Sequence, residues 1–197
     1  MAKGFDTTEN ASKLAPLIKS QGYEFVGRYL SKSTWKLITP AEAAALKAAG
    51  LGIVLVYEDG PTSATYFSSG RGTSDATRAI AQASALGAPA GTAIYFAVDY
   101  DASGADIDGP IASYFHEVTA TLGAAPTAYQ AGVYGSGKTC QAIGAAAGVA
   151  YTWLAQSTGW AGFQLPGPWS IQQGVATITC TLSVDLDTSS GGPYGAM

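Results

Sequence analysis

Short apolar runs recur along the chain and alternate with longer, alanine-rich stretches. Eight of the runs have the length and the β-branched or aromatic content of strands. These predicted strands are Lys3–Thr7, Phe25–Leu30, Gly52–Glu58, Thr92–Asp99, Ala128–Gly135, Tyr151–Gln156, Trp169–Gln173 and Leu182–Asp187. Strands that alternate with helical stretches are typical of parallel sheets with crossover helices, and eight of them predict a closed barrel.

Capping signals between the runs predict where helices begin and end. Residues 39–42, Thr-Pro-Ala-Glu, have the N-cap, the first-turn proline and the third-position glutamate of a capping box, and Gly50 ends that helix. Asp75–Leu86 and Ile107–Leu122 are further predicted helices. The first five strands therefore each have room for a crossover helix.

The last three strands lie too close together for such helices. Only 12 residues separate Gln156 from Trp169, and 8 separate Gln173 from Leu182. We therefore expect an irregular TIM-like α/β barrel with five βα units followed by three strands. The glycine-, proline- and tryptophan-rich loop 157–168 is expected to border a cleft at the strand ends.

Length and charge limit the possible functions. The 197 residues fit one domain, which we place at 1–190 with a short tail at 191–197. Only 12% of the residues are charged, the net charge is −4, and Lys and Arg form no run, which argues against nucleic acid or anionic lipid as a partner. The longest apolar stretches, such as 51–57 and 92–98, are far shorter than the roughly 20 residues of a membrane span.

The N-terminus passes from Met1 straight into a strand-like segment, without the charged region and apolar core of a signal peptide. We therefore expect a chain made without a signal peptide, or one that has lost it.

Acidic residues at the ends of apolar strands are the strongest chemical signal. Six of the 14 acids occupy such positions: Asp6, Glu58, Asp99, Asp101, Asp185 and Asp187. A period of two places Asp99 and Asp101 on one face if their strand continues, and Asp185 and Asp187 repeat this spacing. In a closed barrel the first and last strands are neighbours, so Asp6 should approach Asp185 and face the Asp99 pair across the mouth.

When carboxylates lie close together, their mutual repulsion moves their pKa values apart. Glycosidic cleavage requires a protonated acid beside an ionised carboxylate. Aromatic and amide side chains near the same strand ends are candidates for sugar binding. The aromatic candidates are Tyr29, Tyr57, Tyr95, Tyr134, Trp153 and Trp160, and the polar ones are Gln156, Gln172, Gln173 and Asp187. The pattern favours sugar hydrolysis.

Most of these acids also have a purely local interpretation. Asp6 with Glu9 has the spacing of a helix cap, and Glu58 begins a Glu-Asp-Gly turn. Asp101, which precedes Ser-Gly, fits an Asx-turn, and Asp187 fits a solvated strand end. Asp99 has the weakest local interpretation, because it ends a run of apolar residues and needs a partner or a purpose there.

Other chemistries have little support. His116 is the only histidine, is predicted on a helix surface, and has no nucleophile elbow or further histidines to form a triad or a zinc site. Cys140 and Cys180 fit no metal or redox spacing; we expect both to be buried apolar residues, although one disulfide remains open. Residues 132–139, Gly-Val-Tyr-Gly-Ser-Gly-Lys-Thr, match the P-loop pattern, which leaves nucleotide binding as a remote alternative.

Six motifs along the chain carry a resemblance to a known family: GFDT at 4–7, GRYL at 27–30, YFAVDYD at 95–101, GVYG at 132–135, WLAQ at 153–156 and VDLD at 184–187. By these motifs the chain resembles, over nearly its whole length, the glycoside-hydrolase-like family known as domain of unknown function 1906. That family is similar to the family 25 glycoside hydrolases, N-acetylmuramidases that cut the linkage between muramic acid and glucosamine in peptidoglycan. Their fold is a barrel of five βα units and three strands.

The resemblance also implies roles for individual residues. Asp6, Asp99 and Asp185 fall where family 25 enzymes keep active-site aspartates, and Asp101 falls where their Asp-x-Glu motif has the glutamate that acts as general acid. Here that side chain is shorter by one methylene, and Glu58 is the alternative proton donor. Asp99 or Asp185 would stabilise the developing cation or the reacting acetamido group.

We therefore expect a monomeric, peptidoglycan-directed glycoside hydrolase that needs no metal or cofactor and acts outside the cytoplasm at a cell wall. The alternative is a pseudoenzyme or binding module that holds wall glycans in the same cleft without cutting them.

Overall fold

In the computed structural model, which describes residues 1–146 and 148–197, eight strands close into a barrel in chain order. The strands are β1 (Lys3–Asp6), β2 (Phe25–Leu30), β3 (Gly52–Tyr57), β4 (Ala93–Ala97), β5 (Gln130–Gly135), β6 (Val149–Leu154), β7 (Ile171–Thr179) and β8 (Leu182–Ser189). The first seven are parallel to one another along the barrel, whereas β8 is antiparallel to both β7 and β1. The predicted α/β barrel is confirmed.

Helices follow each of the first five strands. They are α1 (Ala15–Ser20), α2 (Pro40–Ala48), α3 (Arg71–Ala85), α4 (Gly104–Asp106) with a π-helical turn (Ile107–Ile111) leading into α5 (Ala112–Gly123), and α6 (Gly137–Gly144). A loop joins β6 to β7, and a tight turn joins β7 to β8. The predicted arrangement of five βα units followed by three strands is therefore correct, although β7 runs six residues further than expected, to Thr179.

The capping box predicted at α2 forms only in part. The Thr39 hydroxyl accepts a hydrogen bond from the Glu42 amide at 3.2 Å, as expected of an N-cap. The Glu42 side chain does not return to the cap; it accepts hydrogen bonds from Arg28 and from the Ala11 amide, at 2.7 and 2.9 Å. The glutamate thus ties α2 to the outer face of β2, because Arg28 is a buried cation that needs a partner.

Alternation along the strands divides the apolar residues into two layers. One layer lies between the sheet and the helices and includes Phe5, Leu55 and Phe96. The other fills the barrel, where Phe25 and Trp153 belong to a buried cluster. Glycines facing the interior make room for these rings: a Cβ atom at Gly4 would lie 2.4 Å from the Phe25 ring.

Gly27 is the interior glycine nearest the acids, and we expect Gly27→Ala to destabilise the barrel by about 1–3 kcal/mol through overpacking. The added Cβ would lie 2.7 Å from Asp6 Cβ and 2.9 Å from Trp153 Cη2. Gly123→Ala is the matched control, because its added Cβ would have no described atom within 4 Å apart from its chain neighbours and the backbone of its own helix. Urea unfolding would measure the stability of both variants. Equal unfolding midpoints would contradict the prediction, because they would show that the barrel interior accommodates the added methyl group.

Residues 191–197 lie against the N-terminal ends of β3 and β4. Met197 exchanges two backbone hydrogen bonds with Ile53, both at 3.0 Å, and the Ala93 amide donates to the Gly195 carbonyl at 2.9 Å. The Tyr194 ring packs on Phe25, with centroids 4.9 Å apart. This segment therefore covers the end of the barrel opposite to the one where the parallel strands terminate.

The two cysteines differ in environment. Cys140 is buried on α6, whereas Cys180 is half-buried in the turn between β7 and β8; both thiols are free. The expectation that both are buried is wrong for Cys180, because that turn projects from the barrel with a left-handed backbone at Cys180, φ 51°. His116 is exposed on α5, as predicted.

Within the described ranges, 1–146 and 148–197, the structure has no helix long and apolar enough to traverse a lipid bilayer.

Candidate active site

A cleft of about 220 Å³ opens at the C-terminal ends of the parallel strands. Its walls carry four carboxylates together with aromatic and amide side chains. The lining residues are Asp6, Tyr29, Val56, Glu58, Asp99, Tyr134, Trp153, Gln156, Ser157, Trp160, Gln173 and Asp185. In barrels of this architecture the strand ends at this face converge on one open site.

The strand alternation explains why these side chains meet. Asp6 ends β1 and faces inward, and it is the register partner of Asp185 on β8. Glu58 directly follows β3, and Asp99 follows β4 by two residues. Four different strands therefore each deliver one carboxylate, and the predicted approach of Asp6 to Asp185 is confirmed.

Asp6 is the most buried of the four carboxylates. Its two oxygens accept hydrogen bonds at 2.8 Å from the Tyr29 hydroxyl and from Gln173 Nε2. Burial raises the pKa of Asp6 to about 7, and the nearby charges of Asp185 and Glu58 add to the rise. The carboxyl group can therefore carry or release a proton near neutral pH.

Gln173 connects the carboxylates through one amide group. Its Oε1 accepts hydrogen bonds from the Tyr134 hydroxyl at 2.9 Å and from the backbone amide of Gln156 at 3.2 Å, and these two bonds fix the orientation of the side-chain amide. Its Nε2 therefore points toward Asp6, at 2.8 Å, and toward Asp185, at 3.4 Å. A second amide, Gln156 Nε2, also lies 3.4 Å from Asp185.

Asp99 and Glu58 form the other side of the acid cluster. Burial raises the pKa of Asp99, and the negative charge of Glu58 raises it further, while Lys36 opposes the change. Glu58 Oε1 lies 2.9 Å from Lys36 Nζ in an ion pair. Asp99, whose pKa is raised, thus lies beside a carboxylate that is ion-paired with Lys36, and two carboxyl groups in such different environments can divide the roles of acid and base.

Asp187 lies below the cleft, inside the barrel. Its Oδ1 accepts from Trp153 Nε1 at 3.0 Å, while Oδ2 is buried without a hydrogen-bond partner among the described residues. Burial and the charge of Asp6 raise its pKa well above the ordinary value. Because Asp187 is only 2% exposed, it supports Trp153 from beneath, and the prediction that it binds substrate directly needs correction.

The chain is similar in sequence to known proteins. A family model described as Rv2525c-like, glycoside hydrolase-like domain matches residues 17–188. The chain belongs to this family. The Bacillus subtilis (strain 168) protein YbfG is 33% identical over an alignment that covers 97% of this chain and 30% of YbfG. The chain thus spans about a third of that relative's length.

Solved structures show the same fold. The crystal structure of the Mycobacterium tuberculosis Tat-secreted protein Rv2525c with L-tartrate superposes with a TM-score of 0.81 and 22% identity, covering 99% of this chain and 98% of that one. The lysozyme from Streptomyces coelicolor gives a TM-score of 0.61 and 17% identity, covering 97% and 93% of the two chains. The resemblance predicted from sequence is thus confirmed, and the Rv2525c-like domain has a lysozyme-like barrel.

Besides Asp187, three further predicted sugar-binding residues lie outside the cleft of this Rv2525c-like domain. Tyr57 points to the helix layer, where its hydroxyl donates to Asp59 at 2.7 Å. Tyr95 faces inward but lies deep in the barrel, where its hydroxyl donates to the Tyr194 carbonyl at 3.0 Å. Gln172 neighbours the inward-facing Gln173 and so takes the opposite face. The predicted contacts of these three with a ligand are corrected accordingly.

Asp101, which the resemblance aligns with a general acid, does not line the cleft. β4 ends at Ala97, so the strand does not continue and the predicted shared face with Asp99 is lost. Asp101 is exposed, and its Oδ1 accepts a hydrogen bond from the Ala161 amide at 2.8 Å. The role of proton donor is corrected for this residue.

The P-loop interpretation of residues 132–139 is wrong. Gly132–Gly135 belong to β5, where a P-loop requires an open loop. The start of α6 is already occupied, since the Ser136 hydroxyl accepts from the Thr139 amide and the Lys138 amide donates to the Ala161 carbonyl. Phosphate therefore has no cradle of free amides there.

Lys36 is the site residue that sequence reasoning missed. It lies in the loop after β2, where its ammonium group also approaches the Tyr29 ring, 5.1 Å from the centroid. A lone lysine in a loop carries no pattern that points to a barrel mouth. In residues 1–146 and 148–197 no group of three or more His, Cys, Asp or Glu is arranged to hold a metal ion.

The buried carboxyls make the stability of the glycoside hydrolase-like domain depend on pH. Asp6 and Asp187 both have raised pKa values, Asp6 to about 7, so the folded chain binds more protons than the unfolded chain above about pH 4. The free energy of unfolding should therefore fall as pH rises from about 4 through 7. Asp6→Asn cannot titrate and should flatten this decline by a few kcal/mol.

Urea unfolding at pH 5 and pH 8 would compare the variant with wild type, with the exposed Asp108→Asn as control. If the free energy of unfolding fell equally between pH 5 and pH 8 in Asp6→Asn and in wild type, the raised pKa of Asp6 would be contradicted.

Proposed function

We propose that the chain is a glycoside hydrolase that cuts peptidoglycan-type glycan in a muramidase-like reaction. The observation that carries the proposal is the meeting of Asp99, Glu58 and Asp185 in one cleft with an aromatic wall. Glycosidic cleavage needs one carboxyl that donates a proton and one carboxylate that faces the developing positive charge. The cleft offers both kinds of group, because Glu58 and Asp99 follow the ends of β3 and β4 and Asp185 lies within β8.

Asp99 is the proton donor in this proposal. Burial and the charge of Glu58 raise its pKa, which favours the protonated form relative to a free aspartate. The proton passes to the leaving glycosidic oxygen as the bond from that oxygen to the anomeric carbon breaks. Glu58, ion-paired with Lys36, is the second candidate donor, because it reaches the same cleft.

Asp185 takes the complementary role. It lies within reach of two amide donors, Gln173 Nε2 and Gln156 Nε2, each at 3.4 Å. Burial raises the pKa of Asp185, and the hydrogen bond from Gln156 opposes this rise by favouring the ionised carboxylate. In its ionised form Asp185 stabilises the oxocarbenium-like centre or orients an acetamido group that attacks it. Asp6 accepts hydrogen bonds from the Tyr29 hydroxyl and from Gln173 Nε2, and so helps to hold the Gln173 side-chain amide that also faces Asp185.

The comparisons support the choice of glycan. The fold is shared with a lysozyme, and Rv2525c is described as Tat-secreted, which supports action outside the cytoplasm at a cell wall. Trp160 at the rim and Tyr134 in the wall provide aromatic faces of the kind on which sugar rings stack.

A second candidate function is a binding module that holds wall glycans without cleaving them. Asp101 is the observation in its favour, because the residue aligned with the general acid of the family 25 enzymes is bonded to a loop amide outside the cleft. A domain that had lost its acid would keep the cleft and its affinity.

Incubation of purified peptidoglycan with the protein, followed by mass spectrometry of the soluble products, separates the two functions. Hydrolysis predicts muropeptides with reducing muramic acid ends, released by wild type and by the exposed-surface control Asp108→Asn. Co-sedimentation with peptidoglycan without any released fragment would reject the hydrolase and support the binding module.

A further inference from the structure

The loop between β6 and β7, residues 157–168, supplies the cleft with Trp160. This loop has no helix or strand of its own, although a turn orders its centre. The Trp160 amide donates to the Ser157 carbonyl at 2.9 Å, and the Phe163 amide donates to the Trp160 carbonyl at 3.3 Å. These contacts are internal to the loop, so they leave its position over the barrel to be set by other groups.

The peptide groups of Ala161 attach the loop to the barrel. The Ala161 amide donates to Asp101 Oδ1 at 2.8 Å, and its carbonyl accepts from the Lys138 amide at 2.9 Å. Next to this residue Gly162 packs on Gly137 so closely that a Cβ at Gly137 would lie 1.8 Å from the Gly162 carbonyl oxygen. The residue that follows Trp160 is thus bound on both sides.

Asp101 is itself held in place by the end of β4. The Asp99 amide donates to the Pro61 carbonyl at 3.0 Å, and the Ala102 amide donates to the Tyr100 carbonyl at 2.9 Å. Two residues beyond Asp101, Ser103 and Asp106 form a reciprocal capping box that starts α4. The carboxylate therefore projects from a turn that is fixed at both ends.

We propose that Asp101 is a positioning residue that latches the Trp160 loop to the end of β4 and thereby holds the indole at the rim of the cleft. The carboxylate acts as a hydrogen-bond acceptor, and its proton plays no part in the reaction. The role in glycan binding rests on the proposed function, whereas the latch itself does not. An acceptor of the same shape should therefore replace the carboxylate.

The latch can be tested in the unliganded protein by acrylamide quenching of tryptophan fluorescence. The chain has four tryptophans, of which Trp153 and Trp169 are each 1% exposed and so shielded from the quencher. Trp35 is 72% exposed, and a Trp35→Phe background removes its signal, which leaves Trp160 as the accessible reporter.

In that background Asp101→Ala should increase quenching, because the loop is released. Asp101→Asn keeps an oxygen acceptor and should quench like the parent, as should the control Asp108→Ala, which changes an exposed acid nearby. Circular dichroism would verify folding. Unchanged quenching in folded Asp101→Ala would overturn the latch, as would an equal increase in Asp101→Asn.

Steady-state kinetics on peptidoglycan add a second test, because a purely structural role of Asp101 would not change KM selectively. Asp101→Ala should raise KM by about threefold to tenfold, the effect of losing one hydrogen bond, with kcat little changed, and Asp101→Asn should restore KM. Loss of turnover in Asp101→Asn with normal quenching would identify Asp101 as the acid and overturn the proposal. If wild type itself cleaves no glycan, the hydrolase function fails, while the quenching result still decides the latch.

Discussion

Asp99→Asn is expected to abolish glycan hydrolysis and to leave the barrel folded. If Asp99 donates the proton, the variant loses general acid catalysis, which contributes about 10²–10⁴-fold to rate. The fold should survive, because burial already favours the neutral form of this carboxyl and Asn is a neutral group of the same shape. Rates of release of reducing ends from peptidoglycan, with circular dichroism and urea unfolding alongside, would measure both effects.

Two variants make the Asp99 result specific. Asp108→Asn removes an exposed carboxylate outside the cleft and should retain the wild-type rate. Glu58→Gln tests the second candidate donor: a loss as large as that in Asp99→Asn would mean that both carboxyls act in the reaction. A wild-type rate in Asp99→Asn would remove Asp99 from the chemistry and transfer the donor role to Glu58.

Glu42→Ala is expected to cost about 3–5 kcal/mol of unfolding free energy, the loss usual when one partner of a buried ion pair is removed. Arg28 and Glu42 are 1% and 0% exposed in their side chains, and Nε of Arg28 lies 2.7 Å from Oε1 of Glu42. Without the glutamate the guanidinium keeps its charge in an apolar layer, and the Ala11 amide loses its acceptor. Urea unfolding at pH 7 would measure the loss.

The control for this pair is Lys32→Ala. Lys32 lies 3.7 Å from Asp59 but its side chain is 42% exposed, so its ion pair should contribute at most about 1 kcal/mol. The double variant Arg28→Met with Glu42→Leu should recover most of the stability, because apolar groups of similar volume remove the uncompensated charge. A loss below about 1 kcal/mol in Glu42→Ala would show that water reaches Arg28.

The strands and the carboxylates of the cleft were predictable because both depend on local pattern. Apolar runs of strand length, each ended by an acid, place Asp6, Glu58 and Asp99 at or just beyond strand termini, whereas Asp185 lies inside β8. Eight strands imply closure, and closure brings the first strand beside the last. The structure confirms the neighbouring positions of Asp6 and Asp185 as register partners.

The errors concern the face and depth of a side chain rather than its strand. Tyr57 precedes an inward-facing Glu58 and so must face outward, and Tyr95 lies on the same inward face as Asp99 but four residues deeper. Asp101 was misplaced because nothing in a run of apolar residues marks the end of β4 at Ala97. The pairing of Arg28 with Glu42 joins separate elements, which local pattern does not contain.

The closure of β1 on β8 has a consequence for biosynthesis. Asp6 and Asp185 are register partners although nearly the whole chain lies between them. Contacts of such high sequence separation form late, since loop closure must precede them. A nascent chain in which β7 and β8 have not yet emerged from the ribosome therefore presents Asp6, Glu58 and Asp99 without the Asp185 and Gln173 that complete the cluster. The cleft therefore forms only after β8 has emerged, and a translation product that stops before this strand has no complete site.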